Sequence, residues 1–107
     1  MANTFKRYTS NSIGTSLETV YTVPASTTTV MIGGVVSNVS VATVNITVTA
    51  TTSSTVINLI GEDTPVPAGT ALSFIDGKIV LETGDIVKIK SSAATSVDAH
   101  LSIMEIT

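Results

Sequence analysis

Apolar and polar side chains alternate with a period of two along most of this chain, the spacing of strands that bury one face. Clusters of Ser, Thr, Gly, Pro and Asp break the alternation at short intervals. The pattern predicts about eight short strands, and no segment carries helical spacing. Thr4 to Thr9 is the first. Asn11 to Ser16 reads as a loop, and Leu17 to Val23 then places Leu17, Thr19, Tyr21 and Val23 on one face before Pro24 ends it. Thr28 to Val36 is apolar on both faces, as expected of a central strand covered on each side or of one whose outer face meets a neighbouring subunit. Gly33-Gly34 inside it marks a bulge, a bend or the close approach of another segment.

Thr43 to Thr51 turns Val44, Ile46 and Val48 one way and Thr43, Asn45, Thr47 and Thr49 the other. After the polar turn Thr51 to Ser54, Thr55 to Ile60 returns as its hairpin partner, and Gly61 to Pro65 closes the pair. Ala71 to Ile75 and Lys78 to Glu82 flank Asp76-Gly77, a dipeptide suited to the positive φ values of a type I′ turn, so these two strands are expected to fold back on each other. In Ile86 to Lys90, Val87 and Ile89 face the core while Lys88 and Lys90 face solvent and guard an edge. The last strand points Val97, Ala99, Leu101 and Ile103 inward and Asp98, His100, Ser102 and Met104 outward. Thr, Val and Ile dominate the composition, in keeping with pleated, half-buried surfaces. The fold class read from this is all-β: a single antiparallel β-sandwich spanning residues 1–107, of jelly-roll or immunoglobulin-like topology.

Charge and composition narrow the functions such a sandwich serves. Five Lys and Arg against eight Asp and Glu give a net charge of −3, the wrong balance for gripping phosphates, so no nucleic-acid partner is expected. Lys6-Arg7, the one adjacent basic pair, reads as the solvated start of the first strand. With no cysteine there is no disulfide framework and no thiolate metal site. The longest apolar run, Val30 to Val36, falls far short of the ~20 residues of a spanning helix, so no membrane partner is expected. Met1 to Arg7 has no apolar core of a secretory signal, which points to a cytoplasmic site of synthesis. A small chain that is 43% hydrophobic and only 12% charged has little polar surface to cover itself, and an oligomer follows as the expectation.

Catalytic chemistry finds few residues to work with. His100 is the lone histidine, no G-x-S-x-G elbow is present, and the histidine reads as a plain solvent-facing or interface residue. The acids gather in turns at Glu62-Asp63, Asp76, and Glu82 with Asp85, where carboxylates initiate and cap bends. No calcium loop of the D-x-[DN]-x-[DN]-G form occurs, so neither a metal nor a cofactor is expected. The triplets Asn38-Val39-Ser40 and Asn45-Ile46-Thr47 match the glycosylation pattern only as coincidences of a Thr-rich chain. Phe5, Tyr8, Tyr21 and Phe74 are the whole aromatic supply, a thin platform for stacking sugars.

The order Asn3-Thr4-Phe5-Lys6-Arg7-Tyr8, Gly14-Thr15, Val20-Tyr21-Thr22-Val23-Pro24, a hydrophobic strand, Pro67-Ala68-Gly69 and Val80-Leu81-Glu82-Thr83-Gly84-Asp85 resembles the small virion structural proteins of tailed bacteriophages, of the marine and cyanophage type. The likeness spans nearly the full length and includes no catalytic residues. It implies a non-enzymatic β-sandwich subunit of the virion, assembled in the host cytoplasm, that decorates the capsid or belongs to the neck, tail or fibre. Its implied partners are the major capsid protein or neck and tail proteins, and further copies of itself, a trimer being favoured. The alternative is a receptor- or glycan-binding module at a tail fibre. Contact residues expected under the first reading are Phe5, Tyr8, Met31 and Val35, with Met104 and Ile106 near the chain end. The N-terminal strand, residues 4–9, is expected to add to a neighbour or exchange with it, because a terminal edge strand can pair across chains.

Overall fold

The computed structural model describes residues 2–75 and 77–107. Its strands are β1 (Asn3–Ser10), β2 (Glu18–Thr22), β3 (Thr28–Asn38), β4 (Val44–Thr52), β5 (Thr55–Asn58), β6 (Thr64–Val66), β7 (Ala71–Ser73), β8 (Ile79–Leu81), β9 (Ile86–Ser91) and β10 (Val97–Ile106). The described residues form no helix. One sheet has the order β1-β10-β3, with β7 and β8 both on the far side of β3; the other has the order β2-β9-β4, with β5 and β6 both on the far side of β4. Every pairing is antiparallel. The chain is therefore an all-β protein of two antiparallel sheets, packed as a sandwich over a core to which both contribute.

Two outer strands are each broken in two, and this raises the count above the eight expected. β7 pairs with Val35 to Ser37 and β8 with Thr29 to Met31, so they follow one another along the same side of β3. Among the described residues β7 and β8 pair with β3 and not with each other, unlike the hairpin predicted for Ala71 to Glu82. Phe74 decides the matter: its amide donates to the Gly34 carbonyl at 3.0 Å, and its buried ring lies over Gly34, where an added Cβ would stand 2.5 Å from Phe74 Cζ. The chain must leave the sheet there to bring the ring inward. Asp76, the first residue of the expected turn, lies outside the described residues. β5 and β6 divide the edge of β4 in the same way, pairing with Thr49 to Thr52 and Val44 to Ile46, so Thr64 and Pro65, read from sequence as the end of a turn, form a strand with Val66.

The alternation in β10 is as predicted: Val97, Ala99, Leu101 and Ile103 are buried and the residues between them half-buried. Val87 and Ile89 likewise face inward, but β9 lies between β2 and β4, so Lys88 and Lys90 guard no edge. Instead Lys88 and Lys90 stand opposite Thr49 and Thr47, and those two threonines, on the face opposite Ile46 and Val48, are buried as well. Asp63 N donates to Thr47 Oγ1 at 3.1 Å, which draws the loop after β5 over that face. In β2 a register shift between Thr19 and Tyr21 breaks the predicted common face, leaving Leu17 and Thr19 exposed while Tyr21 and Val23 enter the core.

Turn chemistry supplies the remaining joints. Ser53 and Ser54 have φ of 47° and 68°, the signs a two-residue type I′ hairpin needs between Thr52 and Thr55. Asp85 Oδ2 accepts from Glu82 N at 2.9 Å, as predicted for an acid in a bend. Asn38 of the first Asn-x-Ser triplet is buried, with its amide donating to the carbonyls of Ala42 and Val66 and accepting from Ser40. Ile13, placed in a loop by its neighbours, is fully buried and bonds backbone to backbone with Val97 at 2.8 Å, so it closes one end of the core.

Gly34→Ala will lower the urea midpoint by the equivalent of about 1–3 kcal/mol, because Phe74 has to move out of its place in the core. Gly33→Ala, whose Cβ would meet Ser102 Cβ at an ordinary 3.8 Å, will change stability by no more than about 0.5 kcal/mol. Equilibrium unfolding of the two variants beside the parent checks both.

Candidate interaction face

Residues directly paired across antiparallel strands project to the same side of a sheet. In the first sheet Phe5 pairs with Met104, Met104 with Val30, and Val30 with Val80. These four residues form an apolar row across β1, β10, β3 and β8 on the face turned away from the core. Phe5 is 72% exposed and Val80 64%, with Met104 and Val30 half-buried between them. Ile106 lies in the adjoining row, opposite Asn3 and Thr28. Ile32 is 41% exposed beside the row because the register slips between β10 and β3: Ser102 faces Gly33 and Ile103 faces Met31, so Ile32 is the extra residue of a β-bulge.

That bulge also separates the expected contact residues. Met31 and Val35 are four apart and would share a face in an unbroken strand. With Ile32 inserted, Met31 points into the core at 0% exposure while Val35 is half-buried, opposite outward-facing His100. Met31 is thus a core residue in this fold and is corrected from the contact set. Tyr8 also lies on the inner side, partly buried, its ring 4.8 Å from that of Tyr21 with the planes 47° apart. The fold gathers Phe5, Val35, Met104 and Ile106 on one outer face and adds Val30 and Val80, which sequence reading missed. Val80 sits in an Ile-Val-Leu run without alternation, so no local signal told its direction.

Directly beneath the apolar row, the intervening residues of the same strands hold a polar clamp. Lys6 Nζ lies 2.8 Å from Glu105 Oε1, and Tyr21 Oη donates to Glu105 Oε2 at 2.7 Å. With its hydroxyl hydrogen directed at the carboxylate, Tyr21 Oη accepts from Thr29 Oγ1, also at 2.7 Å. Lys6, Glu105 and Thr29 come from β1, β10 and β3 of one sheet, Tyr21 from β2 of the other. The Lys6 ammonium, aided by Tyr21, holds the Glu105 carboxyl below the usual carboxylate range, and Glu105 in turn raises the Lys6 ammonium. Burial pushes the Tyr21 phenol upward, with Glu105 adding to the effect.

At the other end of the face, Thr9, Ser10, Asn11, Val35, Ser37 and Asp98 line an open depression of about 560 Å³ with Ala99 and His100. Asp98 Oδ1 is engaged there by Ser12 N at 3.0 Å. His100 lies between Thr9 and Val35 on the outer face. Along the free side of β1 no strand is placed among the described residues, while its other side pairs over all eight residues with β10 of the same chain.

No protein-family model matches this chain, and no curated protein does. Among solved structures it is similar to a chain of the Bacillus endospore appendages, described as a family of disulfide-linked pili. The TM-score is 0.59 at 16% identity, over 99% of this chain and 87% of that one. At that identity the likeness concerns the fold: a two-sheet antiparallel β-sandwich.

The clamp makes stability depend on pH at both extremes. Glu105 has a lower pKa folded than unfolded, so its contribution is present above the unfolded value of 4.5 and is lost as pH falls through the depressed one. Lys6 and Tyr21 are raised, so their contributions are complete below 10.5 and 10.0 and are lost as pH rises beyond. Urea midpoints measured against pH will show a plateau between these limits, and Glu105→Gln will flatten the acid side. Tyr21→Phe will cost about 1–3 kcal/mol at neutral pH, since buried Glu105 and Thr29 each lose a partner.

Proposed function

We propose that this chain is a non-enzymatic structural protein of a bacteriophage virion, a sandwich subunit that packs as an oligomer on the capsid or on the neck and tail, with the outer face of its first sheet as a contact between subunits of that assembly. The observation that carries this reading is the four-residue apolar row Phe5, Met104, Val30 and Val80. An apolar row open to water on a rigid sheet is a surface for another protein.

The sheet orders support the finer reading of the fold as a jelly roll. Counting each broken edge as one strand, the orders β1-β10-β3-(β7, β8) and β2-β9-β4-(β5, β6) divide eight strands between two four-stranded sheets, the arrangement of viral capsid and lectin domains rather than the unequal sheets of an immunoglobulin constant domain. The pilus chain of similar fold supports use in a repeated assembly. Those pili are linked by disulfides, whereas this chain has no cysteine, so its contacts with neighbours rest on faces like this one. Many weak contacts repeated over a symmetric particle sum to firm attachment without a deep pocket.

One observation favours the second reading, a glycan-binding module. The 560 Å³ depression brings Thr9 and Ser37, both on the outer face, beside Asp98 and His100, groups that hydrogen-bond sugars. Binding of the isolated chain to host polysaccharide, removed by Asp98→Ala, would establish it in place of the first.

Particle loading tests the preferred reading. Purified chain added to particles lacking it is expected to load in a fixed number of copies by quantitative mass spectrometry, and Val80→Lys to reduce the affinity at least about tenfold, a change of about 1.4 kcal/mol. Val80 is exposed at an edge, so the variant keeps its fold. Equal loading of parent and variant would remove this face from the reading.

A further inference from the structure

The outer face of the first sheet carries a trough beside its apolar row. Next to Phe5, Met104 and Val30 along their strands, the succeeding outward positions are Arg7, Ser102 and Gly33, and these three are also paired across the strands. Ser102 and Gly33 give this second row a floor of one hydroxymethyl group and one bare backbone. An added Cβ at Gly33 would touch only Ser102, at 3.8 Å. The trough is bounded on one side by Met104, Val30 and Ile32 and on the other by His100 and Val35. A ridge of large side chains thus runs parallel to a short trough over Ser102 and Gly33, one pleat apart, with Arg7 standing at the trough's β1 end.

A surface that pairs a ridge with an adjacent trough is complementary to itself. A two-fold axis parallel to the rows and midway between them lays the ridge of one copy into the trough of the other, twice over. From this we infer that the partner of the face is a second copy of this chain, bound face to face about a two-fold axis. Residues facing each other in the pair are Met104 with the other copy's Ser102, Val30 with its Gly33, and Phe5 with its Arg7. The last is a cation over an aromatic ring, and Arg7 is free to make it, having no ion pair among the described residues. Strands of the two copies run nearly aligned, the geometry in which twisted sheets stack.

The area is adequate. Four strands about 4.8 Å apart with outward rows along a strand of about ten residues present about 600 Å² per copy, hence about 1,200 Å² for the pair, the lower bound of specific interfaces. A dissociation constant on the order of micromolar follows for so small a face. The two-fold pair replaces the trimer expected from sequence, because a row that fits its own neighbour across one axis closes with two copies. This inference rests on the same face as the proposed function, and the experiment separates the two.

Sedimentation equilibrium of the parent chain at about 1–100 μM is expected to give twice the 11.0 kDa of one chain with a micromolar midpoint. Gly33→Val fills the trough and Phe5→Ser removes the end of the ridge. Each is expected to raise the dissociation constant at least about tenfold while urea midpoints remain near the parent's. Should Gly33→Val unfold, Ser102→Leu fills the same trough from β10. A parent of single mass throughout that range, a trimer, or a dimer that resists both substitutions overturns the pairing. Particle loading by such a monomeric parent overturns the pairing alone; a dimer disrupted as expected whose parent loads onto no particle upholds the pairing and overturns the virion reading.

Discussion

A carboxylate taken out of water governs this sandwich. Glu105 is nearly inaccessible, and a buried charge persists only when a counter-charge and hydrogen bonds compensate its lost hydration. Lys6 supplies the charge by turning inward from an edge strand, Tyr21 reaches across from the opposite sheet, and Thr29 completes the set from the third strand. Each requirement fixes a piece of geometry. Lys6 sets the face of β1, Tyr21 sets how the second sheet lies over the first, and the alternation on either side of these residues sends Phe5, Met104 and Val30 outward. The apolar row is thus the outer half of the strand segments whose inner half is the clamp.

Much of this was legible from residue order and some was not. The alternation of Val97 to Ile103 was read correctly because both faces of β10 obey one rule along its whole length. The hairpin at Ser53-Ser54 was read from local polarity, and its positive φ values agree. What failed depended on contacts between distant segments. No local pattern shows that Phe74 will sit on Gly34 and interrupt an edge, or that lysines and a loop will cover Thr47 and Thr49. Met31 was misplaced because a single inserted residue, Ile32, reverses the faces beyond it. Phe5 and Tyr8, three apart, must take opposite faces of any regular strand, so that division was available from period two alone.

Without disulfides, cohesion has to come from ordinary sources spread through the molecule. The core draws on both sheets and is closed at one end by Ile13. Buried polar side chains are mostly engaged: Asn38 uses donors and acceptor together, and Asp85 satisfies a turn amide. Thr49 Oγ1 is a buried side-chain oxygen without a partner among the described residues. β-Branched threonine is favoured on a pleated surface for its shape as much as for its hydroxyl.

The two flanks of the sandwich are unlike, and that asymmetry bears on how many copies can be crowded together safely. The first sheet ends on one side in β1, eight residues long and unbroken, and on the other in the separate short strands β7 and β8; the second sheet's far margin is likewise divided between β5 and β6. Fibrillar cross-β growth needs a long, flat template on both margins of each unit so that every addition exposes the next. Here a ribbon begun on the intact margin meets an irregular one within a single molecule and stops. A cysteine-free, threonine-rich sandwich can in this way be packed at high local density without seeding amyloid.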